Sequence, residues 1–128
     1  MRTVFADTFY YFAFVNERDP AHWKAVDFTQ NFTGRLLTEV ADGWSNPKGW
    51  RSYFKVLLSA LRSNPTVSIV PFSQELFDAG IERYIDRPDK EWSLTDCISF
   101  IVMERGGLTE GLTGEHHFEQ TGFVAVLK

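Results

Sequence analysis

The run Thr3-Val4-Phe5-Ala6 stops abruptly at Asp7, and the chain then passes into an aromatic segment, residues 9–14. A short apolar run of this kind reads as a strand buried on both faces. Asp7 then stands at its carboxyl end, and that is the edge at which an open α/β sheet binds ligands. The same residue has a simpler use as the N-cap of the next helix, a position that suits Asp. Which use applies depends on whether other acids occupy equivalent places.

The rest of the chain alternates helical and extended signals. Residues 8–16 favour a helix, and Asp19-Pro20 marks the start of a second one reaching Asn31 or Phe32, with Asp as cap and Pro at the first helical position. Arg35-Leu36-Leu37 is a short strand, and residues 38–41 begin a helix interrupted by Trp44-Ser45-Asn46-Pro47. Trp50, Phe54, Leu57, Leu58 and Leu61 then recur at helical spacing up to Ser63-Asn64-Pro65. Residues 66–70 form a β-branched strand stopped by Pro71. Ser73 caps a helix whose apolar positions Leu76, Phe77, Gly80, Ile81, Tyr84 and Ile85 share one face, and Ser93-Leu94-Thr95-Asp96 opens another that runs to Gly106-Gly107. Residues 108–113 and 122–127 are the last strands, with 114–120 as a polar connection. Alternation of this kind predicts a mostly parallel sheet with helices on both faces and right-handed crossovers.

A chain of 128 residues is one domain, 1–128, with a single core. Its net charge of -4 withholds the bulk basic balance of many nucleic-acid binders, although an acidic metal pocket would lower the charge without forbidding an RNA substrate. One cysteine, Cys97, excludes an internal disulfide and a cysteine-rich zinc site and suits a reducing cytoplasm. No stretch approaches the roughly 18 apolar residues of a membrane span, so a cytoplasmic protein is expected.

Four acids fall near predicted strand ends or helix starts: Asp7, Glu39, Asp96 and Glu115. Carboxylates that converge in a partly desolvated cleft repel one another unless protons or cations compensate them. With no His/Cys ligand set, the expected compensator is a hard oxygen-seeking ion, Mg²⁺ or Mn²⁺. Each acid also has a plainer role open to it. Asp96 fits a capping box, Glu39 favours a helix N-terminus through its dipole, and Glu115 suits a solvated loop.

Taken together, "TVFADTFYYFAFVNERDPAH", "LLTEV", "WSLTDCISFIVME" and "LTGEHHFEQTGFVAVL" resemble PIN domains, especially the small ones related to VapC toxins, over nearly the whole chain. The resemblance implies an α/β fold, a single-domain three-layer arrangement with a mostly parallel sheet of order 3-2-1-4-5. It also implies a metal-dependent endoribonuclease, the toxin of a toxin-antitoxin pair, whose catalytic and metal-holding acids are Asp7, Glu39, Asp96 and Glu115. A cognate antitoxin and a homodimer are the implied partners. The family's "T-x-D-x-H-F" pattern reads Thr113-Gly114-Glu115-His116-His117-Phe118 here, so Glu115 replaces an Asp and adds one methylene. Octahedral Mg²⁺ tolerates such a displacement poorly, which favours Mn²⁺.

Thr8 and Thr113 lie beside these acids and are expected to hydrogen-bond a ligating carboxylate. Lys48, Arg51 and Lys55 share one side of a helix and, with Arg35, are candidates for RNA phosphate contacts. Their plain alternative is a solvated face. His117 is expected to be structural, His116 exposed, Cys97 a buried thiol, and Trp44, Trp50 and Tyr53 an exposed patch. The competing reading is a non-catalytic PIN-like module that binds RNA or protein. A phosphoacceptor receiver domain fits less well, because the third strand ends Ile69-Val70-Pro71-Phe72 without an acceptor Asp.

Overall fold

The computed structural model describes residues 2–38, 50–71 and 73–128, apart from the side chains of Trp50, Arg51 and Tyr53. The readings made on residues 39–49, including Glu39, Trp44, the Asn46-Pro47 cap and Lys48, lie outside the described residues, as do the side chains just named.

Strand β1 (Thr3–Ala6) is central, and it leads into α1 (Thr8–Val15) and α2 (His22–Asn31). Next come β2 (Arg35–Thr38), α3 (Trp50–Ser63), β3 (Val67–Ile69) and the helices α4 (Gln74–Asp86) and α5 (Leu94–Arg105). The chain closes with β4 (Glu110–Leu112), α6 (His116–Gln120) and β5 (Val124–Ala125). All pairings are parallel and the sheet order is β3-β2-β1-β4-β5. This is the mostly parallel α/β arrangement the sequence implies.

Because side chains alternate across a strand, β1 feeds two cores. Ala6 packs with Tyr10, Tyr11, Ala13, Ala25, Leu61 and Leu112 on the α1, α2 and α3 side. Phe5 packs on the other side with Trp92, Cys97, Phe100, Met103 and Phe118. Val4, Phe5 and Ala6 are fully buried, which is why the run carries no polar residue before Asp7. A ladder of rings ties the second core together: Phe118 meets Phe5 at 6.4 Å and Phe100 at 5.1 Å, and Trp92 meets Phe100 at 5.2 Å. Burying each such ring contributes about 2–3 kcal/mol.

The carboxyl ends of β1 and β2 are fixed by a short relay. The buried Tyr11 hydroxyl donates to Thr38 Oγ1 at 2.8 Å, and Thr38 Oγ1 donates to the Ala6 carbonyl at 2.9 Å. With Ala6 opposite Thr38 in the register, the two strands leave the sheet side by side. Asp7 follows at once.

Three expectations are corrected. The second helix starts at His22 rather than at Pro20, because Asp19 Oδ1 accepts the Ala21 amide at 2.8 Å and closes a local turn first. In α4 the face is shorter than its pattern suggests: Gly80 is buried, but Tyr84 and Ile85 stand 51% and 67% exposed. Residues 114–120 are not simply a polar connection, since residues 116–120 form α6, pinned by the fully buried Phe118 and by Trp92 Nε1 donating to Gln120 at 2.7 Å.

Candidate metal centre at the carboxyl edge

Asp7 sits at the N-cap position of α1, yet its side chain makes no capping bond there. It instead accepts a hydrogen bond from Thr113 Oγ1 at 3.1 Å. The same hydroxyl oxygen accepts the Glu115 amide at 3.2 Å, so one fully buried threonine anchors both the Asp7 carboxylate and the backbone of Glu115. Gly114 between them is required by space, because a Cβ there would fall 2.6 Å from the Phe9 ring.

Asp96 lies in the first turn of α5 and does cap it. Ser93 Oγ accepts the Asp96 amide and Asp96 Oδ2 accepts the Ser93 amide, both at 3.0 Å. That oxygen also lies 3.1 Å from His117 Nδ1. The capping box uses Oδ2, and none of these bonds falls on Oδ1. The structural role and a ligand role are therefore compatible in one side chain. Glu115 is the N-cap residue of α6 without a side-chain capping bond, and its Oε2 lies 4.0 Å from His117 Nδ1.

These groups line one cavity of about 410 Å³. Among the described residues, five carboxylates border it, those of Asp7, Asp19, Glu91, Asp96 and Glu115, with His117 and no lysine or arginine. The electrostatic result is large. Burial first, then the charge of Glu115, with a further push from Asp96, raises the Asp7 carboxyl to about 7 despite hydrogen bonds from Thr113 and the Thr8 amide. Glu115 is also raised, by burial and then by Asp96, against the opposing effect of His117 and His116. Thr8, a further lining residue, has a buried hydroxyl with no hydrogen-bond partner among the described residues. Crowded carboxylates and an orphaned hydroxyl fit a divalent ion, for which oxygen donors are the preferred ligands.

Of the residues singled out from sequence, the structure brings together Asp7, Asp96, Glu115 and Thr113. Thr8 adjoins them, but its hydroxyl makes no bond to a carboxylate among the described residues. Arg35 opens β2 and pairs in register with Thr3, at the amino edge of the sheet. A four-residue strand separates that edge from the carboxylates by about 10 Å. Arg35 is therefore not among the residues that line this cavity, because parallel strands collect their carboxyl ends on one side. Lys55 is exposed on α3. His116 is exposed and Cys97 buried, as expected. Sequence reasoning missed Glu91 and Asp19, and it set His117 aside as structural although its ring lines the cavity. The offset of two from Glu115 within a short helix start was the available signal for His117.

No protein-family model matches the chain, and no curated protein does. Among solved structures the chain is similar to Mycobacterium tuberculosis VapC20, described as a sarcin-ricin loop cleaving toxin. The likeness has a TM-score of 0.82 and covers 94% of this chain and 96% of that one at 23% sequence identity. The chain therefore has the VapC-type PIN fold, a mostly parallel sheet of order 3-2-1-4-5 with its carboxylates gathered at the carboxyl edge.

Proposed function

We propose that the protein is a metal-dependent endoribonuclease of the PIN type, acting in the cytoplasm as the toxin of a toxin-antitoxin pair. The observation that carries this reading is the convergence of Asp7, Asp96 and Glu115 on one cavity, close enough that their charges oppose one another. The fold of a toxin described as cleaving the sarcin-ricin loop supports RNA as the substrate class.

Asp7, Asp96 and Glu115 would hold Mg²⁺ or Mn²⁺, with Glu39 as a further ligand. An ion held by these acids would compensate their charge and would supply the chemistry of an activated water for in-line attack on phosphorus and of charge stabilisation on the leaving oxygen. The protein's own groups prepare that site. Thr113 holds the Asp7 carboxylate and the Glu115 backbone in one bonded unit. The Ser93 amide donates to Asp96 Oδ2 and fixes that carboxylate at the start of α5. A cavity whose described lining holds five carboxylates and no lysine or arginine repels a phosphate until a cation is bound, so chelation should silence the activity. Lys48, Arg51 and Lys55 are the candidates for holding the RNA backbone.

A small antitoxin protein that covers the acidic edge and a second copy of the chain are the proposed partners. Val56 of α3 and Tyr84 and Ile85 of α4 are exposed apolar groups suited to such contacts. Among the described residues no helix is long and apolar enough to cross a membrane.

One feature favours the alternative, a non-catalytic PIN-like module that binds RNA or protein: Asp96 already serves the fold, its Oδ2 accepting the Ser93 amide in the capping box. The deciding assay is cleavage of a structured RNA with Mn²⁺ and with chelator. Binding without cleavage in Mn²⁺ would move the protein to the alternative.

A further inference from the structure

His117 is the one side-chain nitrogen donor among the described residues lining the acidic cavity. A ligand atom of Asp96, one of Glu115 and one ring nitrogen of His117 all lie within 4.8 Å of one another. The finer distances leave room for an ion shared by the three groups. His117 Nδ1 is 3.1 Å from Asp96 Oδ2 and 4.0 Å from Glu115 Oε2. In an octahedral site with bonds near 2.1 Å, cis ligands lie about 3 Å apart and trans ligands about 4.2 Å apart. A second, independent feature points to a guest in the same cavity: Thr8 is only 8% exposed and its hydroxyl has no partner among the described residues. A buried hydroxyl left unpaired is costly unless something in the cavity meets it.

We propose that the His117 imidazole is itself a ligand of the bound cation, through Nδ1, forming with Asp96 and Glu115 a mixed nitrogen-oxygen site that selects Mn²⁺ over Mg²⁺. Imidazole ligation suits transition ions, whereas Mg²⁺ prefers carboxylate oxygens and water. The ring is well placed for this. It is partly buried, and it extends from a helix whose Phe118 is locked into the core. Ligation through Nδ1 requires the tautomer that carries its proton on Nε2, in which the Nδ1 lone pair faces the two carboxylates. The inference rests on the reading of the cavity as a cation site, but not on the cleavage of RNA.

Pulsed electron paramagnetic resonance of the full chain with Mn²⁺, carrying ¹⁵N-labelled histidine, reads the ligand directly. The expected spectrum shows coupling to a directly bound imidazole nitrogen, retained in His116→Gln and lost in His117→Gln. Calorimetric titration with each ion gives the selectivity. His117→Gln should weaken Mn²⁺ binding at least about tenfold and Mg²⁺ binding less than about threefold. A residue that merely holds Asp96 would weaken both ions alike. Mn²⁺ bound to the parent protein without nitrogen coupling overturns the inference, and needs no variant to fold. If RNA is still cut under that condition, the nuclease reading stands and only the role of His117 fails. No Mn²⁺ binding at all overturns the inference together with the cation site.

Discussion

Replacing Asp7 by Asn should stabilise the metal-free protein, and the size of the effect follows from the site. The Asp7 carboxyl is raised from an ordinary 3.8 to about 7, chiefly by burial and by Glu115. A carboxyl whose pKa is raised on folding binds its proton more tightly in the native state. Its favourable contribution is therefore complete below the unfolded value near 3.8 and is lost as pH rises through about 7. At about 1.4 kcal/mol per pH unit, ionising Asp7 in the folded protein costs at most about 4 kcal/mol by pH 8. Asparagine keeps an oxygen to accept the Thr113 hydroxyl but carries no charge, so it avoids that cost. The expected gain is about 2–4 kcal/mol at pH 8, near zero at pH 4, because water and local relaxation soften the burial cost. For a domain of this length this corresponds to roughly 6–15 °C in melting temperature. Thermal melts of both proteins in chelator from pH 4 to pH 8.5 measure it. A variant that melts at or below the parent at pH 8, with a gap independent of pH, would refute the claim that the carboxylates are held together against their repulsion.

The other acids and the core give sharper contrasts. Asp96→Asn should keep the Ser93 cap through its amide oxygen yet lose cleavage, whereas Asp96→Ala should also cost about 1 kcal/mol of stability; full activity in either variant would leave Asp96 a cap alone. Glu115→Asp should raise Mg²⁺-dependent RNA cleavage and Glu115→Gln should lower it with either ion, and parental rates in Glu115→Gln would make Glu115 a solvated loop acid. Phe118→Ala removes a fully buried ring shared by Phe5 and Phe100 and should cost about 3–5 kcal/mol, seen as a fall of at least about 10 °C in melting temperature.

The strand β1 and Asp7 were legible in the sequence because, in a chain of alternating elements, a continuous apolar run that ends in an acid fits a buried strand and little else. The capping box at Ser93 and Asp96 was equally readable, since both partners lie within one turn. Sheet order was not readable from spacing, because β1 pairs with β2 and β4 through contacts across long stretches of chain; it came from the family resemblance. α6 escaped because four polar residues and one phenylalanine carry no periodicity, and its one buried side chain, Phe118, finds its partners on distant elements. The membership of Glu91, Asp19 and His117 in the cavity is a matter of loops brought together only by the finished fold.

Cleavage of a structured RNA by the parent protein and by Asp7→Asn, each in Mn²⁺ and in chelator, tests the central claim most directly. Cutting is expected from the parent in Mn²⁺ alone, and none from the well-folded variant under either condition. Equal cutting by the two proteins, or cutting that survives chelation, would contradict a metal-dependent site built on Asp7.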